Sequence, residues 1–236
     1  MKLTSFRVER FRNVLDSGVI DAAGAVTCLV GKNESGKTNI LHALHTLKPA
    51  STDRSFDEQQ YPRWLQKEHQ RSGKFASAKP ISATFELTEA EVAAVNEEFG
   101  EGVLISNFWS ISVKYDGSTI FTVKVDEKAA CNAIEERLGT DTGAVKLAAL
   151  RTELDSCAAE TSPDSNGAQV ATVEAQKAQQ ARAEVDRLYP ESIDVDLAVY
   201  HELDALLPQF FYFDEYSQLR GRTNIEPLIE APGLLT

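Results

Sequence analysis

Gly31-Lys32-Asn33-Glu34-Ser35-Gly36-Lys37-Thr38 fits the pattern G-x-x-x-x-G-K-[ST] at every fixed position. This octapeptide constrains the fold more than anything else in the chain, because it names a geometry and a ligand together. Its backbone N–H groups turn inward around a phosphate. Gly31 and Gly36 let the loop bend and approach the anion without a Cβ in the way. The spacing places the Lys37 ammonium at β- and γ-phosphates and the Thr38 hydroxyl on Mg²⁺. The flanks supply the order that the pattern requires. Val26-Thr27-Cys28-Leu29-Val30 is a short apolar run and reads as a buried strand. Asn39 to Leu47 has apolar residues at 40, 41, 44 and 47, which is helical spacing, and Pro49 stops the helix. A helix starting at the loop adds its N-terminal dipole to the anion site.

The chain has 236 residues, enough for one large domain or two small ones. No apolar run approaches the ~18 residues of a membrane span, and the N-terminus has no leader-like apolar stretch. Cys28, Cys131 and Cys157 form no C-x-x-C pair. So sparse and odd a set points to reduced thiols and a cytoplasmic setting, with Cys28 as plain core. The net charge of −12 is uneven. Residues 1–80 carry 13 Lys and Arg against 8 Asp and Glu, hence +5; residues 81–236 carry 11 against 28, hence −17. The acidity of the second part argues against that surface lying on DNA, and solubility accounts for it.

Residues 1–30 read as two or three strands leading into the loop. The polar stretch 50–80 is a long connection with Tyr61-Pro62-Arg63-Trp64 in its middle. Residues 81–87 alternate like a strand, and Thr88 with Glu91 forms a capping box for a short helix. Asp116-Gly117 between two β-branched runs marks a hairpin within 103–125. Residues 127–154 and 169–188 are helical and flank the breaker Thr161 to Gly167, so they predict a helical hairpin. Pro208 to Tyr216 reads as a last buried strand.

Phe6-Arg7-Val8-Glu9-Arg10-Phe11-Arg12-Asn13, the loop with its Asn33 and Ser35, Asn39, and Leu41-His42-Ala43-Leu44 together resemble the start of an ABC-type ATPase head. The sequence is similar to the RecF, SMC/Rad50 and OLD group of AAA-family ATPases, most closely to OLD-like members. Phe56 with Tyr61-Pro62-Arg63, and Phe211-Tyr212-Phe213-Asp214-Glu215-Tyr216, also look like OLD-like segments. The resemblance covers residues 1–50 well and the rest thinly. It implies an α/β P-loop NTPase fold: a mixed sheet around the P-loop helix, an antiparallel β subdomain and a projecting helical hairpin. It implies ATP and Mg²⁺ as ligands, held by Gly31 to Asn39, with Arg12 and Asn13 near the base or phosphates; a solvated charge at a strand end explains Arg12 equally well.

Such heads hydrolyse ATP as dimers, each loop facing a signature motif of the other copy. This sequence shows no Leu-Ser-x-Gly motif and no switch histidine after an aliphatic Asp-Glu strand. It therefore reads as the N-terminal half of a head. The expected parts are an N-terminal lobe (1–126), a helical insertion (127–190) and a return segment (191–236). Asp214 and Glu215 follow four apolar residues, the order of a Walker B pair. Asp214 would then hold Mg²⁺ and Glu215 would polarise the attacking water; an acidic turn is the simpler reading, since the run is aromatic rather than aliphatic and Pro208 stands just before it. Gln59 or Gln60 is a candidate Mg²⁺-sensing glutamine. His42 and His45 lack a third ligand and read as surface helix positions. Asp155, Glu160 and Asp164 read as a solvated polar turn.

The expected activity is Mg-ATP binding and hydrolysis on dimerisation, serving DNA-directed repair or phage defence, with DNA reached through a larger assembly and no membrane partner. The alternative is a nucleotide-responsive dimerisation module without turnover. Other P-loop classes fit less well. There is no Asn/Thr-Lys-x-Asp for guanine, and Arg220 with Arg222 makes no arginine-rich lid.

Overall fold

A computed structural model describes residues 1–22, 24–50, 54–163, 169–190 and 193–213. Strands β1 (Lys2–Phe11) and β2 (Val14–Asp21) form a hairpin across Arg12-Asn13. Helix α1 (Lys37–Leu47) follows the phosphate-loop motif. The 50–80 connection holds a 3-10 turn (Glu58–Gln60) and helix α2 (Arg63–Arg71). Next come β3 (Ile81–Glu86), α3 (Glu89–Phe99), β4 (Phe108–Val113) and β5 (Thr119–Thr122). The remaining elements are α4 (Glu127–Leu138), α5 (Leu147–Ala158), β6 (Thr161–Pro163), β7 (Gln169–Ala171), α6 (Val173–Leu188) and α7 (Val195–Ala205).

The main sheet has five antiparallel strands in the order β2-β1-β3-β4-β5. Period-two alternation sets its faces. Phe6 and Val8 pair with Ala83 and Ile81, which pair with Ile111 and Val113; all six are buried on one face. Their neighbours Arg7, Ser82, Thr84, Ser110 and Ser112 take the other face, where Ser112 Oγ donates to Ser82 Oγ at 2.9 Å. The register of β1 shifts between Arg7 and Glu9, and Arg10 is left-handed (φ 53°). This bulge returns Phe11 to the core face, where it is fully buried.

Helix α1 packs on β1, β2 and β3 through Ala43 and Leu47. Beside it, Phe11, Phe56, Tyr61, Phe75 and Tyr115 make an aromatic cluster with ring centroids 4.9–6.0 Å apart. The Tyr115 hydroxyl donates to Arg10 O at 2.6 Å and so ties the cluster to the bulge. At the other end Trp109 lies against Phe85 and Tyr200, and Phe121 stacks on Tyr200, which docks α7. The expected capping box forms: Thr88 Oγ1 accepts from Glu91 N, and Glu91 Oε2 accepts from Thr88 N at 2.8 Å. The Asp116-Gly117 hairpin also forms, joining β4 to β5.

Four segments depart from the expected elements. Val26–Val30 belongs to no strand among the described residues, and Val26 and Val30 are 81% and 93% exposed. An apolar run becomes a strand only when neighbours complete its hydrogen-bond ladder, and the antiparallel sheet closes without it. Cys28 is accordingly exposed, not core. Cys131 is the buried thiol; burial and then the carboxylates of Glu127 and Glu135 push its pKa up to about 12. The 127–154 helix is two helices, because Gly139 ends α4 in the left-handed conformation (φ 66°). The helical hairpin is therefore α5 with α6, and α4 packs beside them. Helix α2 was hidden in the 50–80 connection because its only apolar residues, Trp64 and Leu65, are adjacent and make no repeat at helical spacing. Finally, Pro208–Phe213 forms no strand: Phe210 makes one parallel bridge to Pro49, its N donating to Lys48 O at 2.8 Å, while Phe211 and Phe213 are exposed. Asp214, Glu215 and Tyr216 lie outside the described residues.

Candidate nucleotide site

The loop from Gly31 to Thr38 joins the Val26–Val30 run to the first turn of α1. Ser35 N donates to Lys32 O, closing a turn over Asn33-Glu34. Glu34 is left-handed (φ 61°), and Gly36 (φ 93°) is the N-cap of α1. A Cβ on Gly36 would stand 3.0 Å from Asn13 Oδ1 and Val14 Cγ2, so both the backbone angle and the β1–β2 turn demand glycine there. A Cβ on Gly31 would meet Ser35 Oγ at 3.1 Å.

Lys37 Nζ donates to Gly31 O at 2.8 Å, Lys32 O at 2.6 Å and Ser35 Oγ at 3.4 Å. The ammonium is thereby held across the loop rather than out in solvent. The first turn of α1 carries no acidic residue, so its free N–H groups and dipole favour an anion without competition. The cavity measures about 650 Å³ and is lined by Arg12, Asn13 and Asn33 to Asn39. Thr38 is exposed on that wall. Amides, one lysine and one hydroxyl are the donor set that a Mg²⁺-bound triphosphate requires.

The β1–β2 turn forms the other wall. Asn13 Nδ2 donates to Glu34 O at 3.1 Å, Asn39 Nδ2 to Asn13 Oδ1 at 2.7 Å, and Arg12 Nη1 to Asn39 Oδ1 at 3.1 Å. Arg12, itself left-handed (φ 53°), also donates its backbone N to Gln60 O. Three segments distant in sequence are thus tied into one cradle. Left-handed, non-glycine Arg12 and Glu34 mark strain that this network holds.

The structure places Arg12, Asn13, Gly36, Lys37, Thr38 and Asn39 on the wall of one cavity; the loop motif named Gly36, Lys37 and Thr38, and the family resemblance named Arg12, Asn13 and Asn39. Gln60 uses its side-chain oxygen to accept from Asp57 N, while Gln59 lines an adjoining cavity of about 390 Å³ with Arg12, Asn13, Tyr61, Arg63 and Trp64. The sequence marks Trp64 only as part of the Tyr61-Pro62-Arg63-Trp64 stretch, without a role; an aromatic in an otherwise polar, aperiodic segment was the available signal. His42 and His45 face the Tyr212 ring, with centroids at 4.3 and 6.3 Å. Asp155 is not a turn residue: it lies on α5 and its Oδ1 accepts from Arg182 Nε of α6 at 2.9 Å. Glu160 follows α5, and its backbone oxygen accepts from Thr172 N. Asp164 lies outside the described residues, as do the Walker B candidates Asp214 and Glu215. Among the described residues, no group of three His, Cys, Asp or Glu could hold a metal, and no helix is long and apolar enough to cross a membrane.

A glycine loop capping a helix N-terminus, on an α/β scaffold and with its lysine laid across it, defines a P-loop NTPase. The chain matches the AAA ATPase domain over residues 1–194 and belongs to that family. It is 34% identical over 64 residues to the DNA replication and repair protein RecF of Staphylococcus carnosus (strain TM300). That match spans 27% of this chain and 17% of the relative. A solved chain, from work on the ATP-driven dimerization and DNA stimulated activation of SMC ATPases, aligns with 53% of this chain and 70% of its own length. Its TM-score is 0.30 at 15% identity.

Proposed function

We propose that this chain is the N-terminal part of an ABC-type ATPase head, that it binds Mg-ATP in the Gly31–Thr38 loop, and that it hydrolyses ATP on pairing with a second copy or a partner. The observation that carries this reading is the Lys37 ammonium, held across the loop by Gly31 O and Lys32 O above an acid-free helix N-terminus. Lys37 would exchange those carbonyl contacts for β- and γ-phosphate oxygens. The loop amides would hold the phosphates, and the Thr38 hydroxyl would ligate Mg²⁺, whose charge neutralises them. Arg12 and Asn13 would close the cradle from the β1–β2 turn.

Among the described residues, Glu34 is the one carboxylate on the cavity wall. A water-activating carboxylate would then come from Glu215, with Asp214 on the metal, or from a partner. The same observation favours the second reading, a module in which nucleotide orders or pairs the chain without turnover. The RecF relative and the Phe6–Asn13 and loop resemblance support a DNA-directed role, in repair or in an OLD-like phage defence system.

The test is Mg-ATP turnover by the parent chain and by Lys37→Ala at two protein concentrations. Turnover that depends on Lys37 supports the ATPase. Lys37-dependent binding without turnover selects the module. Equal ATP binding by Lys37→Ala and the parent removes both.

A further inference from the structure

We infer that Trp64 is the base-stacking residue of the nucleotide site, and that the 390 Å³ cavity takes the purine of the nucleotide whose phosphates the loop holds; this rests on the phosphate role proposed above. The two cavities share a wall, Arg12 with Asn13, so a ligand can run from one to the other past that turn.

Trp64 does no packing work that would explain an indole. It is 62% exposed, and the core contact of its helix is made by the neighbouring Leu65; the other tryptophan, Trp109, is 2% exposed in the core. What surrounds it is firmly set. Tyr61, at 1% exposed, is locked against Phe75 and Tyr115, and its hydroxyl contacts His69 Nδ1. Gln60 O receives the Arg12 backbone N, which fixes the shared wall to the start of α2. The Arg12 guanidinium is held by Asn39 Oδ1.

Chemistry selects the base as the occupant. A phosphate gains nothing from an indole, whereas every base offers a π-face to one, and a purine offers the larger. Arg12 and Arg63 supply cations that suit both a stacked ring and its acceptor edge, and Gln59 adds a donor and an acceptor. A single-stranded nucleic acid would want successive aromatics along a groove. Among the described residues, Trp64 is the one exposed aromatic on either cavity wall.

The experiment measures binding of ATP, CTP and inorganic tripolyphosphate to the full chain with Mg²⁺, for the parent, Trp64→Ala and Trp64→Phe, together with tryptophan fluorescence. Melting curves confirm that the exposed substitutions leave the fold intact. Trp64→Ala is expected to weaken ATP roughly ten-fold, CTP less, and tripolyphosphate less than about two-fold. Trp64→Phe should keep most of the affinity, while the ATP-induced fluorescence change seen in the parent disappears. Equal weakening of ATP and tripolyphosphate, or weakening of neither, overturns the proposal. So does loss of binding to a single-stranded oligothymidylate with ATP affinity intact, which would make Trp64 a nucleic-acid contact. A parent chain that binds neither ATP nor tripolyphosphate overturns the phosphate reading itself, and the base assignment falls with it.

Discussion

Gly36 shows how a single residue joins backbone and site. Its φ of 93° strains any L side chain, and a Cβ there would stand 3.0 Å from Asn13 Oδ1 and Val14 Cγ2, so that those side chains would have to shift. Gly36→Ala is expected to lower stability by about 1–3 kcal/mol and to abolish ATP binding, read by urea unfolding and by calorimetry. Wild-type affinity in that variant would mean that the loop tolerates another cap. Asp16 offers a titration. The hydrogen bond from Arg7, and then that from Gly18 N, lower its pKa to about 2. A carboxylate depressed on folding stabilises the fold above its unfolded pKa of roughly 3.9. That contribution is lost as pH falls through the folded value, so the window runs from roughly 4 down to about 2. Carboxyl NMR should show the Asp16 midpoint rising in Arg7→Ala while staying below the ordinary range, because Gly18 N still donates to it; an unchanged midpoint would assign the shift to Gly18 alone. The lysine and glycines of the loop were legible because the motif fixes their spacing. The Arg12–Asn39–Asn13–Glu34 network was not, because its hydrogen bonds join residues up to 27 apart.

Elements were readable where a local signal sets them. Strand β3, the Thr88–Glu91 box and the Asp116-Gly117 hairpin all carry their cause within a few residues. Val26–Val30 carries the composition of a strand without the neighbours of one. Its Val26 and Val30 side chains stand in solvent beside the phosphate loop. Hydrogen exchange on the chain alone should therefore find amides 27–30 close to unprotected, with those of Phe6, Val8, Ile81 and Ile111 slow. Nucleotide-driven pairing that adds strand partners should slow exchange at 27–30. Protection equal to that of β1 in the isolated chain would show that the run already pairs. Helix α2 is the converse: its nine residues hold only Trp64 and Leu65 as apolar positions, adjacent to each other, so no repeat at helical spacing marks it although Leu65 packs on the core.

At the scale of the whole molecule, the phosphate cradle lies in the part of the chain that carries +5, and the helical part belongs to the −17 remainder. Such a division steers polyanions toward the first and away from the second. If turnover needs a second copy, specific activity should rise with protein concentration; a constant specific activity across a hundred-fold dilution would assign the complete site to one chain. By itself the sequence determined the loop, its helix and the local hairpin and cap, since each follows from spacing, turn chemistry or periodicity within about ten residues; the α/β class came from the family resemblance of residues 1–50. Tertiary structure alone decided the rest. It set the Arg12–Asn13 turn against Glu34 and Asn39, gave the exposed Trp64 a cavity beside the phosphate loop, and left Val26–Val30 outside the sheet. The physical reason is that these depend on ladder partners and side-chain contacts between segments far apart in the chain, which no local pattern encodes.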